Sequence, residues 1–402
     1  MALRIIATKP NPALVTLPWS RPLEEWGDDV VVPLPRGLSR HVVRIVRLGH
    51  DVYAVKETRE QIAFREYRLL RDLRRLRLPT VEPVGVVAGR ETDDDVPIEP
   101  ILITRHLQHS LPYRNLFSHG LPAESLPRLI DALVVLLVRL HLSGFFWGDV
   151  SLSNVLFRRN AGEFAAYLVD AETGELHPTL SNGQRAHDLD VAFTNIFGEL
   201  LDLQAGRLLD ETVDASEIVD RVRERYAALW AELTETEEFT TEEMWRIERR
   251  IAHLNDLGFD VDELDIVTDW DGSTVRVQPK VVEAGHHTRE LAGLTGLEVE
   301  DNQARVLLND LAAFTAHFDL GSEDRGIVAH RWLTRIYEPI MAMVPPEMRG
   351  RLEPAEIFHE VLVHRWYLSE RAGKEVGIFE TASDYIDTVL ATRPDEELLP
   401  EG

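Results

Sequence analysis

Trp147-Gly148-Asp149-Val150-Ser151-Leu152-Ser153-Asn154-Val155-Leu156-Phe157 is the stretch on which the reading of this chain turns. It sets an aspartate and an asparagine five apart, after a long apolar run and before the start of a short one. Sixteen residues beyond Asn154, Tyr167-Leu168-Val169 leads to a second aspartate, Asp170. The run before it, from Leu126 to Leu142, is apolar almost all round, which predicts a helix buried on every side. Val155–Arg159 and Phe164–Asp170, with Asn160-Ala161-Gly162-Glu163 between them, predict a hairpin.

Upstream, segments 29–35, 41–48 and 52–57 are rich in valine and isoleucine. They are separated by Pro35-Arg36-Gly37-Leu38-Ser39-Arg40 and by the turn around Gly49, which predicts consecutive antiparallel strands. In the following stretch, Phe64, Leu69, Leu70, Leu73 and Leu76 fall at helical spacing, giving an amphipathic helix with an arginine face. Segments 81–89 and 100–107 resume the strand pattern around the polar residues 91–95. The expected order is β-β-β-α-β-β.

Phosphoryl transfer needs a carboxylate to accept or orient an attacking hydroxyl, and oxygen ligands to hold magnesium on nucleotide phosphates. Asp149, Asn154 and Asp170 are of those types. Lysine is scarce, with Lys9, Lys56, Lys280 and Lys374 among 43 basic residues. Lys56 falls on the third strand, where its ammonium can reach phosphates. Glu66 falls on the next helix to orient it, with Glu57 and Glu60 as alternatives. The turn bearing Gly37 and Ser39 offers backbone amides to cover phosphates. Each piece has a plainer reading. Asp149 with Asn154 alone is a polar turn, Lys56 alone a solvated strand end, and Glu66 alone half of a helix-surface ion pair. Their joint order is what separates them from those readings.

On these residues, positions 30–205 resemble the protein-kinase-like fold, in the lipopolysaccharide-core (Kdo) and small-molecule kinase branch. That branch usually shows His-Gly-Asp-x-x-x-x-Asn where this chain has Trp147-Gly148-Asp149 through Asn154. The resemblance implies an α+β, bilobal kinase-like domain with an antiparallel N-lobe and a helical C-lobe. It implies ATP and Mg2+ as cofactors, Lys56 for the nucleotide phosphates, Glu66 as its partner and Asp149 as catalytic base. Asn154 and Asp170 are implied as magnesium ligands. Asp170-Ala171-Glu172 replaces the usual Asp-Phe-Gly, so the phenylalanine switch of regulated kinases is not expected. Trp147 replaces the histidine, which weakens the hydrogen-bonded support of the loop. Asp188 and Asp190 offer either a brace for that loop or an ordinary helix N-cap.

The whole chain also resembles a bacterial family of unknown function, which joins such a kinase-like part to a distinctive C-terminal half including residues 285–311. The expected domains are 1–228 and 240–395, with a boundary in the acidic stretch 228–240, which also reads as a solvated helix. The second is expected to be mainly helical, with one hairpin turning at Asp271–Gly272. Trp332, Tyr337, Trp366 and Tyr367 read as core. His286 and His287 read as hydrogen-bonded structural residues. His359 and His364, five apart, point some 140° away from each other on a helix and do not form a metal pair.

At 402 residues without cysteine, the chain has no disulfide, thiolate nucleophile or cysteine-bound metal. The net charge is −2 over residues 1–200 and −24 over 201–402. Such an acidic half repels nucleic acid and anionic lipid, and suits a basic protein partner. With no apolar leader or spanning run, membrane insertion is not expected and a cytoplasmic location is. The function read here is an ATP- and magnesium-dependent phosphotransferase acting on a hydroxyl of a small molecule, glycan or protein. The alternative is a nucleotide-binding pseudokinase that acts through its acidic half.

Overall fold

The computed structural model describes residues 3–8, 11–32, 41–49, 51–118, 125–235, 237–240, 245–246, 249, 251–252, 254, 259–260, 263–268, 274–280 and 283–396. The chain divides into two compact units. One comprises Met1–Arg158 and Ala166–Glu224, the other Arg159–Ala165 and Arg225–Glu397.

The first unit opens with a six-stranded sheet. Its strands are β1 (Arg4–Ala7), β2 (Val31–Val32), β3 (Val42–Leu48), β4 (Asp51–Glu57), β5 (Pro83–Ala88) and, after the small ribbon β6 (Arg90–Glu91) and β7 (Pro97–Ile98), β8 (Ile101–Arg105). The order across the sheet is β1-β5-β8-β4-β3-β2, every neighbour antiparallel. Strand β1 was not read from the sequence. Its four residues are half-exposed and carry too little alternation to announce a strand.

Alternation on β4 sends Tyr53 and Val55 to one face and Ala54 and Lys56 to the other. The first face is covered by Leu14, Leu17, Trp19, Leu23 and Trp26 of the N-terminal segment. That cover is pinned by Arg90, whose buried guanidinium donates to the carbonyls of Trp19 (3.1 Å) and Arg21 (2.5 Å) and to Glu57 (2.6 Å). Helix α1 (Glu60–Arg75) packs on β5 and β8 through Ala63, Tyr67, Leu70 and Leu73. Leu76, expected on its apolar stripe, caps the helix end and is exposed.

Below the sheet come β9 (Ser110–Pro112), α2 (Tyr113–Ser118) and α3 (Leu126–Leu142). Then follow β10 (Phe145–Phe146), β11 (Val155–Asn160), β12 (Glu163–Leu168), β13 (Glu175–Leu176), α4 (Asn182–Ala205) and α5 (Ala215–Thr234). Helix α3 is buried along almost its whole surface, as its composition predicts. Strands order as β12-β11-β9, and β10 pairs with β13. The hairpin turns at Ala161 and Gly162, both at positive φ, the backbone a two-residue hairpin turn needs.

The second unit holds more strand than expected. The acidic stretch continues α5 to Thr234 and then forms β14 (Glu237–Thr240). The sequence hides this strand because it is rich in glutamate, and its backbone pairing with a neighbour decides its conformation. With β15 (Phe259–Asp260), β16 (Glu263–Thr268), β17 (Thr274–Lys280) and β18 (Glu283–Ala284) it makes a three-stranded sheet, β14-β17-β16, and a β15–β18 pair. The expected turn at Asp271–Gly272 lies outside the described residues. Helices follow: α6 (His286–Thr295), α7 (Asp301–His317), α8 (Arg325–Trp332), α9 (Glu338–Met343), α10 (Pro354–Ala372) and α11 (Ile378–Thr388). Between α8 and α9 the chain widens into a π-helical turn, Leu333–Tyr337. Pro339 has no N–H for the α-helical ladder, and a π-turn just before it absorbs the mismatch.

Trp332 and Tyr337 are core, packed with Phe358. Trp366 and Tyr367 are not; they are 60% and 55% exposed. Nine residues separate Ile357 from Trp366 and Phe358 from Tyr367, two and a half turns of α10, so the aromatics point away from the buried face. Asn160 Oδ1 caps α7 by accepting from Asn302 and Gln303 N–H at 3.0 and 3.2 Å. Glu356 accepts from the Ala161 and Gly162 amides at 2.8 and 3.3 Å. His287 pairs with Asp301 at 3.0 Å and His364 with Asp384 at 2.7 Å.

Candidate active site

Lys56 leaves β4 on the face that α1 covers, and its ammonium meets three carboxylates: Asp170 at 2.8 Å, Glu66 at 3.1 Å and Glu172 at 3.1 Å. Glu66 is the partner expected from the sequence, ahead of Glu57 and Glu60. Glu57 is on the opposite face of β4 with Arg90, and Glu60 reaches Arg4 at the start of α1. Only Glu66 sits on the inward stripe of the helix, 1% exposed, and its second oxygen accepts the Ala171 N–H at 3.4 Å. Burial pushes the Glu66 carboxyl up to about 7, Asp170 adding to the rise and Lys56 opposing it. Burial also disfavours the charge on Lys56, but Glu66, Asp170 and Glu172 outweigh it and hold the ammonium above its ordinary pKa.

The loop after β10 is held by α4. Asp188, fully buried, accepts the N–H groups of Trp147 and Gly148, both at 2.7 Å, and pairs with His141 at 3.1 Å. Of the two readings of Asp188, this is the brace; the N-cap of α4 is Ser181. Gly148 has φ +78°, a conformation glycine adopts without strain. Asn195 donates to the Val150 carbonyl at 3.0 Å and to Asp149 Oδ1 at 3.4 Å, and Glu199 accepts the Leu152 and Ser153 amides at 2.7 and 2.8 Å. Burial pushes the Glu199 carboxyl up, against these bonds. Asn195 and Glu199 were missed in the sequence, although a signal existed. Positions 188, 195 and 199 lie seven and eleven residues apart, within about 20° of one line on a helix.

Trp147 supplies hydrogen bonds of its own where its replacement of histidine was expected to weaken the loop. The indole is buried and its N–H donates to the Asp170 carbonyl at 3.0 Å, while the Trp147 carbonyl accepts from Thr173 at 2.8 Å. Asn154 gives both hydrogen bonds of its Nδ2 to Asp149, one to the carbonyl (2.9 Å) and one to Oδ2 (3.2 Å). The link from Asn154 toward Asp170 is through backbone, the Val169 N–H donating to the Asn154 carbonyl at 3.1 Å.

Two groups are therefore brought together, Lys56 with Glu66 and Asp170, and Asp149 with Asn154. Among the described residues no hydrogen bond joins the side chains of Asn154 and Asp170. Gly37 and Ser39 lie outside the described residues. Glu172, two residues after Asp170 and paired with both Lys56 and His41 (2.9 Å), was not singled out as a Lys56 partner from sequence. Oxygen atoms of Glu66, Asp170 and Glu172 lie within 4.8 Å of one another. A carboxylate from Asp170 and an amide oxygen from Asn154 are hard donors of the kind magnesium takes, so the residues fit that ion.

Residues 41–194 match the lipopolysaccharide kinase (Kdo/WaaP) family. This part of the chain is kinase-like. The matched residues take in β3 to β13, the first half of α4 and the loop carrying Asp149. Residues 228–390 match a domain of unknown function (DUF4032). Among solved structures that match is one described as WaaP in complex with acyl carrier protein. It is 15% identical, covering 63% of this chain and 99% of that chain, with a TM-score of 0.37. No curated protein matches the chain. Among the described residues no helix is long and apolar enough to cross a membrane.

Proposed function

We propose that the kinase-like part transfers the γ-phosphoryl group of ATP to a hydroxyl, that of a sugar being the class the family description favours. The observation that carries this reading is the buried Lys56–Glu66 pair closing on Asp170, next to a loop that α4 holds at three points. Asp149 is the base. Its carboxylate is oriented by amide donors from Asn154 and Asn195, which fix its direction without adding a charge. The acceptor oxygen bonds to the γ-phosphorus as the bond from that phosphorus to the bridging oxygen breaks. ADP departs with the electron pair, and Asp149 takes the hydroxyl proton. Lys56 holds the phosphates, with Glu66 fixing its position. Asp170 and Asn154 would hold magnesium, which when bound neutralises phosphate charge.

ATP turnover by the full chain, followed as ADP formation with magnesium and compared with Asp149→Asn, tests the proposal. The expected result is a loss of about 10²–10⁴-fold in the variant with nucleotide affinity kept. Binding without turnover in the wild type would support the pseudokinase reading. Neither binding nor turnover at millimolar ATP and magnesium would reject both.

A further inference from the structure

An ammonium has three N–H donors, and those of Lys56 are matched by three carboxylates at 2.8 to 3.1 Å. As it stands, the lysine has no donor left for a phosphate oxygen. The carboxylates also gather more negative charge than the one ammonium offsets, so a further anion meets repulsion as well as a lack of donors.

One of the three must give way, and their environments differ. Glu66 is 1% exposed, sits on the packed stripe of α1, and has its other oxygen on the Ala171 amide. Asp170 is tied from its own other oxygen to the Glu172 N–H at 3.0 Å. Glu172 is 20% exposed, and its carboxylate touches Lys56 and His41 through a single oxygen, Oε2. Breaking that contact opens no buried cavity and leaves the helix packing and the Glu66 and Asp170 bonds in place.

We propose that Glu172 occupies the position at Lys56 that a nucleotide phosphate must take, making it a specificity-determining residue that phosphates displace when they bind. The inference rests on the nucleotide reading of Lys56 given above. Its consequence is selectivity for phosphate that arrives with a divalent cation. Bare phosphate competes with Glu172 for one ammonium, whereas a phosphate–cation pair brings positive charge into a group of carboxylates already in excess. His41, whose Nε2 lies 2.9 Å from the same Oε2, holds the carboxylate in its occluding position.

The test is calorimetric titration of the full chain with ATP and with adenosine, in EDTA and in excess magnesium, for wild type, Glu172→Gln, Glu172→Ala and a control, Glu175→Gln. Glu175 is more than half exposed and pairs with Arg65 and His177, not with Lys56. In EDTA, both Glu172 variants are expected to bind ATP about tenfold or more tightly than wild type, the scale of one charge-assisted contact. Adenosine, which has no phosphate, should change less than about twofold, as should ATP binding in the Glu175 control. Equal ATP affinity in wild type and the Glu172 variants would overturn the inference while leaving the nucleotide reading intact. So would a gain shared by adenosine, which marks a general change of the pocket, or by Glu175→Gln, which marks general charge. Failure of every protein to bind ATP even with magnesium would overturn the nucleotide reading itself.

Discussion

Replacing Asp188 by alanine removes a buried carboxylate on which three groups depend. The Trp147 and Gly148 amides each donate to it at 2.7 Å, and His141 lies at 3.1 Å. Hydrogen bonds to a charged acceptor are worth about 1.5–3 kcal/mol each, and a buried N–H left unpaired costs about 1–3 kcal/mol. Burial holds the His141 pKa below its ordinary value despite Asp188, so at neutral pH the imidazole is not a cation left without its partner. The two amides therefore dominate, and the expected loss is about 4 kcal/mol, with Asp188→Asn near half of that because one acceptor oxygen remains. Urea unfolding of the full chain at pH 7.5, followed by fluorescence, measures the loss. Hydrogen exchange at Trp147 and Gly148 shows whether it arises in the loop. A loss below about 1 kcal/mol, with protection at those two amides unchanged, would refute the reasoning, because the carboxylate would then not be what satisfies them.

Two other outcomes follow from the charges. Lys56→Met leaves Glu66, Asp170 and Glu172 without their cation and should destabilise the kinase-like part by about 2–3 kcal/mol at pH 7.5, a figure discounted for the partial exposure of Asp170 and Glu172. The folded pKa of Lys56 is raised, so in the wild type its contribution is complete below 10.5 and is lost only above it. The folded pKa of Glu66 is also raised, to about 7, so its part of the stability declines as pH rises from 4.5 through 7. Without Lys56 that decline steepens, and the deficit of the variant should shrink at pH 5; a deficit independent of pH in urea titrations would contradict this. His106 and His109 are pushed down to about 4 by burial, Arg158 adding to the effect at His109. Their folded values lie below the ordinary 6.5, so the unfolded chain binds more protons and stability is lost as pH falls from 6.5 through 4, by about 1.4 kcal/mol per unit for each. His109→Asn, which suits the φ of +49° there, should flatten the acid limb by that amount, and an unchanged slope would show that burial does not hold His109 neutral.

Local pattern carried much of this protein. The alternation of β3 and β4, the all-round apolar run of α3, and the order of Lys56, Glu66, Asp149, Asn154 and Asp170 along the chain are properties of neighbouring residues. They hold whatever the rest of the molecule does, because strand and helix periods are set by backbone geometry. That is why the kinase-like arrangement was legible before any coordinate. Glu66 was read from that order as the partner of Lys56, and the sheet face and the helix stripe exclude its fallbacks Glu57 and Glu60. The choice of Asp188 as a brace, the indole of Trp147 on the Asp170 carbonyl, and the arrival of Glu172 at Lys56 join residues 23 to 116 positions apart. The glutamate-rich β14 and the exposed Trp366 and Tyr367 belong to the same class: pairing overrode composition in one, and the choice of buried face overrode hydrophobicity in the other. Sequence determines what each segment can form and which residues it can present. Only the packing of those segments decides which of several equivalent charges and rings is buried and paired, since that energy exists only once the faces have met.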